Sequence, residues 1–158
     1  MKGVRCYANC NEEIELAAEL ESDFKLWSDC SNWPNNTCPG NGDDVMVESG
    51  WNMIFDLNET DTENIIFNNT QVNGKLTFQN ETNIHFKARH LFVRYGSLEI
   101  GNETHPFNGS ARITLYGEKN FEHMAFDNAI EAGNKIIANV GTIKMYGQPR
   151  NGILTRLN

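Results

Sequence analysis

The sequence predicts an all-β fold with one or two short helices, built as a right-handed parallel β-helix or β-solenoid-like stack of short strands. An antiparallel β-sandwich is the alternative. Three observations predict it. Strand-sized runs with alternating apolar residues recur from Asn64 to Gly117. The runs share a core of glycine, any residue, leucine or isoleucine, any residue, then an apolar residue: NGKLTF at 73–78, YGSLEI at 95–100 and VGTIKM at 140–145. Their spacing is regular. Gly74 to Gly96 is 22 residues, Gly96 to Gly141 is 45, close to twice that, and Gly50 of SGWNMIF lies 24 residues before Gly74. SARITLYG at 110–117 fills the intervening slot, with Gly109 one place early. One such unit cannot bury its apolar face alone, whereas stacked units can. A sandwich also gives short strands between turns, but it does not need a constant spacing.

The totals fit a folded, well-solvated domain. The chain has 158 residues, 39% of them apolar, with a formal charge of −8; its pI is near 4.9 and its mean hydropathy −0.51. That acidity argues against non-specific nucleic-acid binding, which needs a basic footprint. No apolar run is long enough to span a bilayer, so direct membrane insertion is not expected. MKGVRC lacks the apolar stretch of a signal peptide. Six Asn-x-Ser/Thr sequons, at Asn35, Asn58, Asn68, Asn80, Asn102 and Asn108, predict a glycosylated extracellular or cell-surface chain of the secretory pathway. The four cysteines agree with an oxidising compartment. Cys6 pairs most simply with Cys10 and Cys30 with Cys38, although three connectivities are possible. No CxxC or paired histidines accompany them, so no metal site is expected.

The elements follow in order. Residues 1–26 read as a cysteine-containing edge segment and cover. Within it 11–26 suits a helix capped by Asn11, with a strand as the competing reading. Residues 27–158 read as the β-rich domain. Trp27, Trp33 and Trp51 lie among prolines, glycines and asparagines and suit plugs at the irregular end of a stack, or else a sugar-stacking platform. MIFDL buries Ile54 or its neighbours. The expected core is Ile65, Leu76, Phe78, Ile84, Phe86, Leu91, Val93, Leu98, Ile100, Ile113 and Leu115. Residues 121–132 have helical propensity ending at Gly133, a suitable C′ glycine. The last run, VGTIKM, has no polar cap after it, as expected of a chain that continues.

Two groups of residues carry candidate chemistry. His85, Lys87 and Arg89 alternate outward if 84–88 is a strand, and Arg94 follows. Such a basic strip suits an anionic glycan, or pairs with acidic residues on neighbouring strands. Asp43, Asp44, Asp56 and Glu99 are the residue types that glycoside cleavage uses in pairs. Asp43 and Asp44 also suit a calcium corner, the one cofactor considered, or a turn cap. No GxSxG, HExxH or P-loop pattern is present, so no catalytic residue is assigned.

These residues together resemble the G-eight (eight-glycine) domain, a module of fibrocystin, fibrocystin-like surface proteins and the cell-migration-inducing and transmembrane hyaluronidases. The likeness runs from about Trp27 to Leu157. It rests on WSDCSNWP, PGNGDDVMVESGWNMIFDL, the central ARHLFVRYGSLEIGNETHPFNGSARITLYG, and GNKIIANVGTIKMYGQPR. The eight glycines map to Gly42, Gly50, Gly74, Gly96, Gly101, Gly117, Gly141 and Gly147. Cys30 and Cys38 depart from the pattern and look like an added local disulfide. The resemblance implies a fragment of a larger secreted or membrane-attached protein, in a setting that includes cilia. It implies a non-catalytic module whose partners are other extracellular chains or domains of the same parent, with anionic glycan as a further contact. The alternative is part of a hyaluronan-type glycan-cleaving enzyme.

Overall fold

The structure, a computed structural model, describes residues 23–117, 124–126 and 130–149. Twelve strands lie among them: β1 (Phe24–Leu26), β2 (Val45–Val47), β3 (Asn52–Phe55), β4 (Phe67–Val72), β5 (Lys75–Phe78), β6 (Ile84–Val93), β7 (Ser97–Ile100), β8 (Ala111–Leu115), β9 (Met124–Phe126), β10 (Ile130–Ala132), β11 (Ile137–Asn139) and β12 (Thr142–Met145). The molecule is all-β with parallel strands in two sheets. The first sheet runs β1-β3-β5-β7-β12; the second runs β11-β6-β4-β2, with β8 also on β6. Every pairing within both is parallel. That overturns the antiparallel sandwich, whose neighbouring strands run in opposite directions. The chain lays one strand in the second sheet, turns, lays one in the first, and repeats: β2 then β3, β4 then β5, β6 then β7.

Register turns sequence alternation into two faces. In the first sheet Met53 stands beside Leu76, and Leu76 beside Leu98 and then Ile143. This row points inward and Leu76 and Leu98 are buried. The alternate row, Leu26, Ile54, Thr77, Glu99 and Lys144, points outward. Met53 and Phe55 are therefore the buried members of MIFDL, and Ile54 is half-exposed. Of the expected core, Leu76, Phe78, Ile84, Phe86, Leu91, Val93, Leu98 and Ile100 are buried, while Ile65, Ile113 and Leu115 pack against its margin. Aromatic rings fill the centre. Trp27 lies 4.8 Å from Trp33 and from Phe55, 5.3 Å from Phe67 and 6.1 Å from Phe86. All but the tilted Trp27–Phe67 pair are edge-to-face, and such pairs add about 0.5–1.5 kcal/mol each beyond the area they bury. Trp27 and Trp33 are thus core plugs, and Trp51 packs half-buried beside them.

The recurring glycines have a steric cause. The backbone turns from one sheet to the other at Gly74, Gly96 and Gly141, and successive turns stack in contact. A Cβ on Gly96 would strike the carbonyl oxygen of Gly74, and one on Gly141 the carbonyl oxygen of Gly96. One layer down the position is filled by Trp51 and not by Gly50, since a Cβ on Gly74 would strike backbone atoms of Trp51 and Glu48.

Two expectations are corrected. The 45 residues between Gly96 and Gly141 are one layer and not two, because β12 pairs directly with β7, Thr142 beside Ser97. The layer is split. β8 covers the first half of the ten-residue β6, with Ala111 beside Ile84, and β11 covers its end, with Ile137 beside Leu91. Between β8 and β11 the chain leaves the sheet. Its excursion includes β9 and β10, which pair antiparallel, Phe126 beside Ile130. The helix expected over 121–132 is therefore a strand pair at 124–126 and 130–132; the rest of that span lies outside the described residues. Helix propensity is worth tenths of a kcal/mol per residue, and pairing of Met124–Phe126 with Ile130–Ala132 outweighs it. At the N-terminal side, 24–26 is strand, and the rest of the helix expected over 11–26, save Asp23, lies outside the described residues, as do Cys6 and Cys10.

Candidate functional site

The basic strip lies on β6, which is long because two different strands share its edge. Its first half alternates cleanly, with Ile84, Phe86 and Ala88 buried. The side chains between them do not all reach solvent. Lys87 is only 8% exposed. Its ammonium donates to the backbone carbonyls of Thr62 at 2.9 Å and Glu63 at 2.6 Å. It therefore clamps the 58–66 connection against the sheet. Thr62 completes the clamp: its buried hydroxyl donates to the carbonyls of Asn58 and His85, both at 3.1 Å. His85 Nε2 lies 2.8 Å from the Thr114 hydroxyl, and Nδ1 is 3.8 Å from Glu59, whose carboxylate also meets Arg112 at 3.4 Å. Burial, then the charges of Lys87 and Arg112, push the His85 pKa below its usual 6.5.

Arg89 is exposed. Arg94 sets its guanidinium 4.7 Å from the centre of the Tyr95 ring. Between them His90 is buried, Nδ1 lying 2.8 Å from Asn69 Oδ1, and burial lowers its pKa. The four candidates thus divide: His85 and Lys87 are tied to the neighbouring connection and strand, whereas Arg89 and Arg94 lie nearer the surface.

The candidate carboxylates each hold the fold. Asp43 accepts from the Gly40 amide at 2.8 Å and closes its own turn. Asp44 accepts from Asn68 Nδ2, the Asn69 amide and Asn69 Nδ2 at 2.7–3.0 Å, joining the entry loop to β4. Asp56 accepts from the Ser28 amide at 2.9 Å and its hydroxyl at 2.5 Å. Glu99 lies between Lys75, at 3.1 Å, and Lys144, at 3.5 Å, across three strands of the first sheet. Among the described residues no three histidine, cysteine, aspartate or glutamate side chains gather where they could hold a metal ion.

The sequons occupy two kinds of place. Asn35, Asn58, Asn80, Asn102 and Asn108 are exposed, Asn35 in a short 3-10 helix, Pro34–Asn36, and the others in connections between strands. Asn68 lies within β4, half-buried and bonded to Asp44, and its Thr70 is buried. In the entry loop Cys30 and Cys38 form a disulfide. Sequence reasoning missed a groove of about 420 Å³ across the outer face of the first sheet, bounded by Phe24 and Leu26 at one end and Asn102 and His105 at the other. Its signal was present in the same repeats, at the positions alternating with the core. Also missed were Thr62 and Asn69, polar residues whose bonding depends on which connection lies over which strand. No helix among the described residues is long and apolar enough to cross a membrane.

With this geometry in view, the likeness to known proteins can be placed. A family profile described as G8 domain matches residues 32–158. Mouse fibrocystin is 34% identical over 95 residues, 59% of this chain and 2% of its own length. Dog fibrocystin is 36% identical over 93 residues, 58% of this chain and 2% of its length. Mouse fibrocystin-L is 26% identical over 149 residues, 85% of this chain and 3% of its length. The chain thus spans only 2–3% of the length of these relatives. No solved structure matches it.

Proposed function

The chain belongs to the G8 domain family, and on that premise we propose that it is a non-catalytic extracellular module of a large secreted or membrane-attached surface protein, serving as a structural and interaction unit. The observation that carries this reading is the commitment of its reactive side chains to the fold. Asp43, Asp44 and Asp56 cap or join loops, Glu99 ties three strands, and Lys87 is sealed against backbone carbonyls. Glycoside cleavage needs two carboxylates facing a cleft across the scissile bond. Here the candidates lie on the entry loop, beside Ser28 and on the outer face of the first sheet. Five exposed sequons and the Cys30–Cys38 disulfide support an extracellular setting. Its partners are other chains, or other domains of the same parent. Anionic glycan is a further contact, through Arg89 and Arg94 more than through His85 or Lys87.

The test uses natively glycosylated chain mixed with size-defined labelled hyaluronan, with and without calcium, followed by size-exclusion chromatography. Intact polymer is expected. Co-elution with the protein identifies a glycan-binding module and makes Arg89 and Arg94 the first residues to change. Separate elution leaves protein partners. Fragmented polymer overturns the non-catalytic reading.

A further inference from the structure

The outer face of the first sheet has an apolar end and a polar end. Phe24 is 59% exposed and Leu26 37%, with the half-exposed Ile54 beside Leu26. Across the strands the same rows become Lys75, Thr77 and Glu99. The groove of about 420 Å³ runs over both ends. From β1 to β7 it crosses three strand spacings, roughly 14 Å. Two of its lining residues, Asn80 and Asn102, are sequon asparagines.

Their side chains are oriented. Asn102 Oδ1 accepts from the Thr104 amide at 3.0 Å, the Thr104 hydroxyl at 2.9 Å and the His105 amide at 2.7 Å. Asn80 Oδ1 accepts from the Glu81 amide at 2.9 Å and the Asn108 amide at 2.6 Å. In Asn102 the carbonyl arm of the planar carboxamide is held by its own turn, and in Asn80 by its own turn and the neighbouring connection at Asn108. The nitrogen, the atom that carries a sugar, is the other arm; that of Asn80 donates one hydrogen to the Pro106 carbonyl at 3.4 Å, and the amide keeps one hydrogen when the other is replaced by a sugar. Asn35, Asn58 and Asn108 are also exposed but do not line the groove.

We infer that this groove is the seat of the protein's own N-linked sugars, carried by Asn80 and Asn102. The inference rests on the glycosylated extracellular reading above. A sugar ring has an apolar face and a polar rim. The groove offers Phe24, Leu26 and Ile54 to the first and Lys75, Thr77 and His105 to the second. Phe24 and Leu26 leave apolar surface exposed along this groove, and Asn80 and Asn102 line the same groove.

The experiment compares natively produced glycoprotein before and after enzymatic trimming of its N-glycans, by hydroxyl-radical labelling read at single residues. Met46, 44% exposed on the second sheet, is the internal reference. Glycopeptide mapping establishes occupancy at Asn80 and Asn102 first. With both occupied, trimming is expected to raise labelling of Phe24 and Leu26 several-fold and leave Met46 unchanged. Thr82→Ala and Thr104→Ala, which block each sequon yet keep its asparagine, are expected to give parts of the same rise. Occupied sites with unchanged Phe24 and Leu26 overturn the inference and leave the glycoprotein reading standing. Unoccupied sequons throughout the natively secreted chain overturn both.

Discussion

Two parts of the parallel sheets obey the same pairing rules and should differ in their tolerance for change. From β2 to β7 the chain climbs one layer every 22 or so residues, the turn at Gly74 resting on Trp51 and the turn at Gly96 on Gly74. From β8 to β12, Ala111 to Met145, it covers one layer with 35 residues and an excursion in the middle. The difference lies in where backbones touch. At Gly96 a neighbouring backbone lies above and below within van der Waals reach, so there is no slack. In the split layer β8 and β11 each pair with only part of β6, and chain added between them need not disturb either.

The largest effect should come from breaking the rigid half. Gly96→Ala puts a methyl group into the Gly74 carbonyl and should cost several kcal/mol, on the order of the worst core overpackings, read as a large loss in denaturant midpoint. Gly147→Ala, with nothing within 4 Å of the new methyl, should stay within about 0.5 kcal/mol. Next comes the entry loop that sets the first layer. Replacing Cys30 and Cys38 by serine should cost about 2–3 kcal/mol by freeing a short loop in the unfolded chain. Lys87→Met should cost roughly 1–3 kcal/mol, because two backbone carbonyls lose their donor. Hydrogen exchange should speed up selectively over 58–66, which separates lost clamping from general unfolding.

A smaller effect follows pH. Burial lowers the pKa of His85 and His90 in the folded state below 6.5. The unfolded chain therefore binds more protons as pH falls through 6.5, and stability declines until the lowered folded values are passed. Melting temperature should drop between neutral and mildly acidic pH, and the slope should shrink in a double His85→Gln, His90→Gln variant. The smallest effect is expected in the tolerant half. Gly117 already packs against Asn134. Excising the residues between them and joining the ends with a short glycine linker should leave the denaturant midpoint nearly unchanged.

The same contrast explains what could be read from the sequence. The repeating glycines and alternating core residues of 73–100 have one physical cause each, close backbone approach and inward pleating, so they were legible. The parallel arrangement and most of the buried list follow from them. The split layer was not legible, because SARITL has strand alternation whichever neighbour it joins, and 45 residues divide into two periods as readily as into one with an excursion. The helix expected over 121–132 failed for a related reason: propensity sees only neighbours in sequence, and Phe126 beside Ile130 is a pairing. At the candidate site, residue type and alternation placed Lys87 on the outward face. Only the path of the 58–66 connection shows that this face is covered there.

The measurement that tests the one-layer account most directly is a pair of cysteine cross-links. Ser97 and Thr142 are register partners on the outer face of the first sheet. The S97C/T142C variant should close a disulfide under mild oxidation without loss of stability, and S97C/S110C should not. If S97C/S110C closes and S97C/T142C stays open, β8 lies beside β7, the 45 residues are two layers, and the split-layer account is wrong.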